Sequence, residues 1–355
     1  MPTKLNASAI LDRCIALKAS SMHLSVGNKP AVRVHAQLSY LTDLDPLTLE
    51  DVELFIVQTL TKEQKDLFDV TKEVDFSIAL GNKARFRVNA YYQKGYPSVS
   101  LRMIPMSIPK LDDLHLPPIL KNIADLKQGF VLVVGPTDNG KSTTLAAMLQ
   151  YITETRAEHI ITVEDPIEFI IPSNKSLVEQ REMFLDTLSW ANSLRAILRQ
   201  DPNIIMIGEM RDQETIEAAM NIAETGHLVF STLHTNSASQ SIERIVSSFP
   251  KEKQAFVRSQ FADVLEAVIS IRLIPSAQLG VVPAVEVMLN NYAIKNMIRE
   301  GKSYRVDDII QTSSQQGMIA LNSSLLTLLA KGLISVDDAY SHSHNPEELR
   351  RLVKQ

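Results

Sequence analysis

The spacing of apolar positions divides the chain in two near residue 119. In the first part, Ile10, Cys14, Ile15 and Leu17 suggest one helix, and residues 48–60 suggest a second. The period then drops to two. "VDFSIAL" (74–80), "ARFRVNAYY" (84–92) and "SVSLRMI" (98–104) alternate apolar and polar residues, and Gly81-Asn82 marks a turn between the first two. Strands of this kind predict an antiparallel sheet covered on one face. Side chains alternate across a strand, so Phe86 and Val88 fall on the apolar face. Arg85, Arg87 and Asn89 fall on the other, and Arg102 lies on the polar face of its own strand. By pattern alone these arginines read as solvated surface.

"PMSIPKLDDLHLPP" (105–118) has four prolines and little periodicity. It predicts a linker over 106–118 between a first domain (1–105) and a second (119–355). In the second, the short apolar runs "FVLVV", "HIITV", "NIIMI" and "HLVFSTL" alternate with helical stretches at 141–154, 188–199 and 213–224. Such alternation implies a mainly parallel sheet with helices on both faces. The helix at 188–199 would bury Trp190, Leu194, Ile197 and Leu198. From about 291 the pattern is a helical tail, with Asn345-Pro346 as a cap and first turn. The fold class is therefore α/β in two domains.

Composition narrows the function. Of 355 residues 45% are apolar, enough for ordinary cores, and the net charge of −5 argues against a coat for nucleic acid. A single cysteine excludes a disulfide framework and a thiolate zinc site. The first residues are polar and no apolar run approaches the ~18–20 residues of a membrane span, so a cytoplasmic protein is expected.

The strongest chemical signal is "GPTDNGKSTT" (135–144), the spacing G-x-x-x-x-G-K-S between a predicted strand and a predicted helix. Backbone N–H groups of such a loop cradle phosphates, and the helix start adds its positive end. Gly135, Pro136, Thr137, Asp138, Asn139, Gly140, Lys141, Ser142 and Thr143 are the candidate nucleotide contacts. Lys141 would reach the β- and γ-phosphates, and Ser142 would ligate Mg²⁺. Asp138 is the anomaly, a carboxylate facing an anion. At ~6 Å and an effective dielectric of ~20 the repulsion would be about 3 kcal/mol. Asp and Asn, however, tolerate left-handed backbone better than other non-glycine residues, so the loop reads as competent, with weakened affinity as the expected cost of the change.

Three further stretches end predicted strands, where ligands of parallel sheets bind. "ITVEDPIEF" (161–169) offers Glu164 and Asp165, to orient water or hold metal; alone it equally fits a strand-end turn. "IIMIGEMRD" (204–212) resembles a Walker B motif with Glu209 as the metal carboxylate, or a capped strand end. "TGHLVFSTLHT" (225–235) puts His227 and His234 at opposite ends of one strand. His234 can reach the nucleotide crevice, and His227 serves packing or a subunit contact.

In this order the four stretches resemble the Walker A, Asp box, Walker B and His box of secretion ATPases, and within them the PilT-like branch that retracts type IV pili. The resemblance covers nearly the whole chain, including "ARFRVNAYYQKG", "LRQDPNIIMIGEMRDQET" and "AIKNMIRE". It implies a PAS-like N-terminal α+β domain, a RecA-like ATPase domain and a homohexamer binding ATP and Mg²⁺. It also implies Glu164 as catalytic base, Glu209 at Mg²⁺ through water, His234 near the γ-phosphate, and Arg87 and Arg102 as arginine fingers. The implied partners are an inner-membrane pilus platform protein and a second pilus ATPase, at the inner face of the cytoplasmic membrane, with no nucleic acid. The export branches carry a tetracysteine zinc insertion that one cysteine cannot form. Four departures stand out: Asp138-Asn139 for Gly-Ser, Met183-Phe184-Leu185 for Val-Gly and a charged residue, Lys295 for Arg, and Ile271 for Gln. Two other readings remain: a hydrolysis-poor nucleotide-binding subunit docked on another motor, and a RecA-like nucleic-acid motor. The acidic balance and the lack of an aromatic-basic groove oppose the latter.

Overall fold

A computed structural model describes residues 6–34, 37–81, 83–104 and 107–354. Asn82, half of the expected turn, lies outside them. The chain folds as two units, Met1–Ser107 and Ile108–Gln355.

The first unit carries helices α1 (Ala7–Ala16), α2 (Leu49–Thr59) and α3 (Lys62–Thr71). Its strands are β1 (Ser21–Ser25), β2 (Ala31–Val34), β3 (Gln37–Tyr40), β4 (Glu73–Leu80), β5 (Ala84–Gln93) and β6 (Tyr96–Ile104). Thr48 and Thr61 start α2 and α3 with reciprocal capping boxes that satisfy the first helical N–H groups. The sheet order is β3-β2-β1-β6-β5-β4, and every pairing is antiparallel. The strict alternation of β5 buries Phe86 and Val88 against residues of the three helices, as its period predicts. β1 (SMHLS) and β3 (QLSY) also alternate, but at five and four residues they are too short to stand out, and with β2 they escaped the sequence reading.

In the second unit a 3-10 turn at Leu111–Leu114 precedes α4 (Ile119–Ala124), β7 (Gly129–Val134), α5 (Lys141–Thr155) and β8 (His159–Glu164). Then come β9 (Leu177–Glu182), α6 (Trp190–Ile197), β10 (Ile204–Ile207), α7 (Gln213–Glu224) and β11 (Leu228–Leu233). After these, α8 (Ala238–Ser247) and α9 (Lys251–Val264) lead to β12 (Leu265–Ser276) and β13 (Gly280–Leu289). The tail is α10 (Tyr292–Arg299), α11 (Val306–Thr312), α12 (Leu321–Ala330), α13 (Val336–His342) and α14 (Pro346–Val353), the last capped by Asn345 as expected.

The sheet order is β13-β12-β7-β11-β10-β8-β9, parallel throughout except for the antiparallel edge strand β13. Phe130, Leu132 and Val134 face a core with α6–α11, and Val131 and Val133 face one with α4 and α5. Both faces are thus covered, which is why these strands read as unbroken apolar runs. Leu111 is buried in the α4–α5 core, with Ile108, Leu114 and Leu116 packed beside it. Leu198, expected in the core, is exposed, because α6 stops at Ile197 and Leu198 is only its cap. Among the described residues no helix is long and apolar enough to cross a membrane.

Candidate nucleotide site

The ends of β7, β8, β10 and β11 adjoin one another in the sheet, so the four sequence motifs converge at one edge. The loop 135–140 leaves β7 and enters α5 at Lys141. Gly135 has φ 146°, and a Cβ there would lie 2.3 Å from the carbonyl oxygen of Ile271. No other residue fits that contact. Gly140 opens α5 with φ 82°, and among the described residues no side chain caps this helix, so its first N–H groups are directed at the loop. Ser142 and Thr143 sit half-buried in its first turn, and Pro136 is half-buried before it.

Lys141 is buried, and its Nζ donates to the carbonyls of Gly135 (2.9 Å) and Pro136 (2.8 Å). Burial lowers its pKa, against the opposing charges of Glu209, Glu168 and Asp138. Asp138 is exposed and takes φ 59°, the left-handed conformation that asparagine and aspartate accept most readily after glycine. Asn139 has a role the sequence did not reveal. Its Nδ2 donates to Thr137 O (2.9 Å), and its Oδ1 accepts the N–H of Leu273 (2.9 Å). The amide thus staples the loop to β12, whose Ile271 backs Gly135. Asn139→Ala should lower unfolding stability by about 1–3 kcal/mol, the cost of leaving the half-buried Leu273 N–H unsatisfied. Urea unfolding measures this, and an unchanged midpoint would deny the staple any importance.

Glu164 ends β8 and is buried. Its Oε1 accepts from Thr162 Oγ1 (2.7 Å) and Gln180 Nε2 (2.9 Å), and its Oε2 from the N–H of Glu168 (3.3 Å). Burial raises its pKa to about 7 against these three donors. Gly208 lets β10 approach closely: a Cβ there would lie 3.3 Å from the Cα of Glu164. The Asp165-Pro166 peptide that follows is cis.

Glu209, just past β10, accepts from Arg211 Nε (2.9 Å) at Oε2 and meets His234 Nε2 (3.2 Å) at Oε1. His234 Nδ1 lies 3.3 Å from Thr137 Oγ1. Thr137, His234 and Glu209 therefore stand in one row, a hydrogen bond joining loop to histidine and a close ion-pair contact joining histidine to carboxylate. In the tautomer with its proton on Nε2, the nitrogen nearer Glu209, His234 Nδ1 accepts from Thr137. His227 is remote from this edge; its Nδ1 meets Thr225 Oγ1 (2.9 Å) and Ile222 O (3.2 Å), closing the end of α7.

Arg87 and Arg102 belong to the first unit, where they are direct partners across β5 and β6. Ser21 and Arg33 continue the row on β1 and β2. Three arginines, Arg33, Arg87 and Arg102, thus fall in one cross-strand row of the sheet.

The departures have structural expressions. Phe184, in place of glycine, has φ 65° and is exposed, as are Leu185 and Leu188. Lys295 faces Glu266, whose pKa burial raises and this lysine lowers. Ile271 is buried behind the loop.

Residues 4–286 match the model of the type II/IV secretion system protein family. The chain belongs to this family. Among family members, the type IV pilus retraction ATPase PilT of Pseudomonas aeruginosa is 45% identical over 329 residues, covering 93% of this chain and 95% of its own. The twitching motility protein of Neisseria gonorrhoeae is 43% identical over 321 residues, covering 90% and 86%. A crystal structure of the pilus retraction motor PilT with bound ADP superposes with TM-score 0.91 at 42% identity, covering 98% of this chain and 99% of that one.

Proposed function

We propose that this chain is the subunit of a homohexameric ATPase motor that retracts type IV pili from the inner face of the cytoplasmic membrane. The observation that carries the reading is the row Thr137–His234–Glu209 at the mouth of a fully formed phosphate loop, on the sheet edge where β8 also ends in the buried Glu164. Kinship to the retraction ATPases supplies the biological setting.

The reaction follows from these groups. Loop and α5 N–H groups hold the ATP phosphates, and Lys141 turns from the carbonyls of Gly135 and Pro136 to the β- and γ-phosphate oxygens. A water attacks the γ-phosphorus in line, the bond to the β–γ bridging oxygen breaks, and ADP leaves with that oxygen. Glu164 takes the water's proton; a base with pKa near the working pH suits this. His234 sits by the γ-phosphate, oriented by Thr137 and Glu209. The few donors here, the Ser142 hydroxyl and the Glu209 carboxylate, fit Mg²⁺, which keeps most of its waters and takes phosphate oxygens. Bound there, Mg²⁺ would neutralise charge on the phosphates. Arg87 and Arg102 stabilise the charge that develops in the transition state.

Arg102→Ala should lower turnover about ten- to a hundredfold, less than loss of a sole finger, because Arg87 opposite keeps part of the charge. A kcat within twofold of wild type would remove Arg102 from catalysis. Steady-state ATP hydrolysis with Mg²⁺, and the mass of the assembly by light scattering, test the whole reading. Turnover by a ring of six is expected. A monomer without turnover would favour the hydrolysis-poor subunit, which otherwise loses ground because Asp138 occupies the conformation that glycine would.

A further inference from the structure

His234 is followed by four residues, 235–238, before α8 is under way, and several of their polar groups are tied. Thr235 Oγ1 meets Ser241 Oγ (2.7 Å), and the N–H of Asn236 donates to Gln240 Oε1 (3.1 Å). Ser241 Oγ donates to Ser237 O (2.7 Å). Those ties are local to the helix start. Two others come from the distant hairpin of β12 and β13. Ser270 Oγ donates to Asn236 O (2.9 Å), and Glu286 Oε1 accepts the N–H of Ala238 (2.8 Å).

Ser270 and Glu286 are register partners across the two strands, so their side chains rise from the same face at adjacent places. Both are buried. Glu286 shares its face with Val268 and Met288 beneath α8, while Val285 and Val287 face α4 and α5. A carboxylate in the middle of an apolar strand is costly unless bonded. An apolar residue there would leave the buried Ala238 N–H without its partner, so the carboxylate both caps the start of α8 and ties the segment before it to the hairpin.

We propose that Glu286 is a positioning residue for ATP hydrolysis: with Ser270 it grips segment 235–238 and so sets where His234 meets Thr137 and Glu209. This rests on the reading of the loop as an ATP site. The same two strands back the phosphate loop, through Ile271 O behind Gly135 and Leu273 N–H on Asn139. One hairpin therefore fixes both the loop and the histidine that must meet it. Burial raises the Glu286 pKa to about 7; the Ala238 N–H and Arg272 pull it down, and Asp307 pushes it up. An oxygen remains to accept from Ala238 in either protonation state, so glutamine should substitute and an apolar residue should not.

The test uses the full chain as purified. In Glu286→Leu, kcat should fall at least about tenfold while ADP affinity and assembly stay within about twofold, since a misplacement near 1 Å costs rate before it costs binding. Glu286→Gln should recover to within about threefold of wild type. In a His234→Ala background Glu286→Leu should add nothing, because both changes remove the same contact. An unchanged kcat in Glu286→Leu, or losses that multiply with His234→Ala, would overturn the proposal. If Glu286→Leu fails to fold, Ser270→Ala takes its place, with a loss of about three- to tenfold and the same dependence on His234. Wild-type protein with no ATP turnover would sink the motor reading instead. The grip is then decided by hydrogen exchange: amides 235–238 should exchange at least about tenfold faster in Ser270→Ala, and unchanged exchange would refute it.

Discussion

Lys141→Ala should cut ATP turnover about a thousandfold or more and leave the fold intact. The ammonium is the one positive side chain within the loop, and loss of such a preorganised group costs transition-state stabilisation of this order. Folding does not depend on it. Its burial disfavours its charge, and the two carbonyls it touches, Gly135 and Pro136, belong to the loop itself. The free protein should therefore unfold near the wild-type midpoint, whereas the nucleotide's contribution should vanish. At a hundred times Kd, ATP should stabilise wild type by about 2.7 kcal/mol, and the variant hardly at all. Thermal unfolding with and without ATP separates the two, and an unaltered ATP shift in the variant would place the nucleotide elsewhere.

Glu164→Gln should do the opposite to binding: ATP affinity stays within a few-fold while kcat falls about 10²–10⁴. The amide keeps an oxygen for Thr162 and Gln180 but cannot take a proton. The pH profile gives an independent check. Only ionised Glu164 serves as base, so wild-type kcat should rise through about pH 7 and level off above it. The stability linkage has the opposite sense. A carboxyl raised from 4.5 to about 7 binds its proton more tightly in the folded chain. Its contribution is present below 4.5 and is lost as pH rises through about 7. Glu164→Gln should flatten both profiles in that window. Retention of the rising limb of kcat in the variant would assign the proton to another group.

The parts legible in the sequence were those that depend on consecutive residues. The phosphate loop is written in six successive positions whose backbone makes the site, and β7, β8, β10 and β11 announce themselves as apolar runs because both their faces are covered. The alternation of β5 and β6 put Arg87 and Arg102 on the polar faces of their strands, but that they stand opposite each other could not be read there, since register is set across strands. What escaped was non-local. Gln180 reaches Glu164 only because β9 pairs with β8. Ile271 and Leu273 support the loop from more than a hundred residues away, and nothing in "GPTDNGKS" points to them. Glu286 alone left a trace, a single carboxylate in the apolar run "VVPAVEVML". Leu198 was misplaced because helical periodicity carries no information about where a helix stops.

The footing of the loop on β12 also bears on how such a motif can drift over evolutionary time. At position 135 every mutational step away from glycine meets a carbonyl oxygen 2.3 Å off, and no neighbour can yield because the obstacle is backbone. At position 138 the chain is exposed and left-handed, so a step from glycine to aspartate costs only about 1 kcal/mol. Position 139 can be traded for a residue that ties the loop down elsewhere. Lineages can therefore wander through the middle of the motif while its first glycine stays locked, and a consensus that scores every loop position alike would discard chains that still close around phosphate.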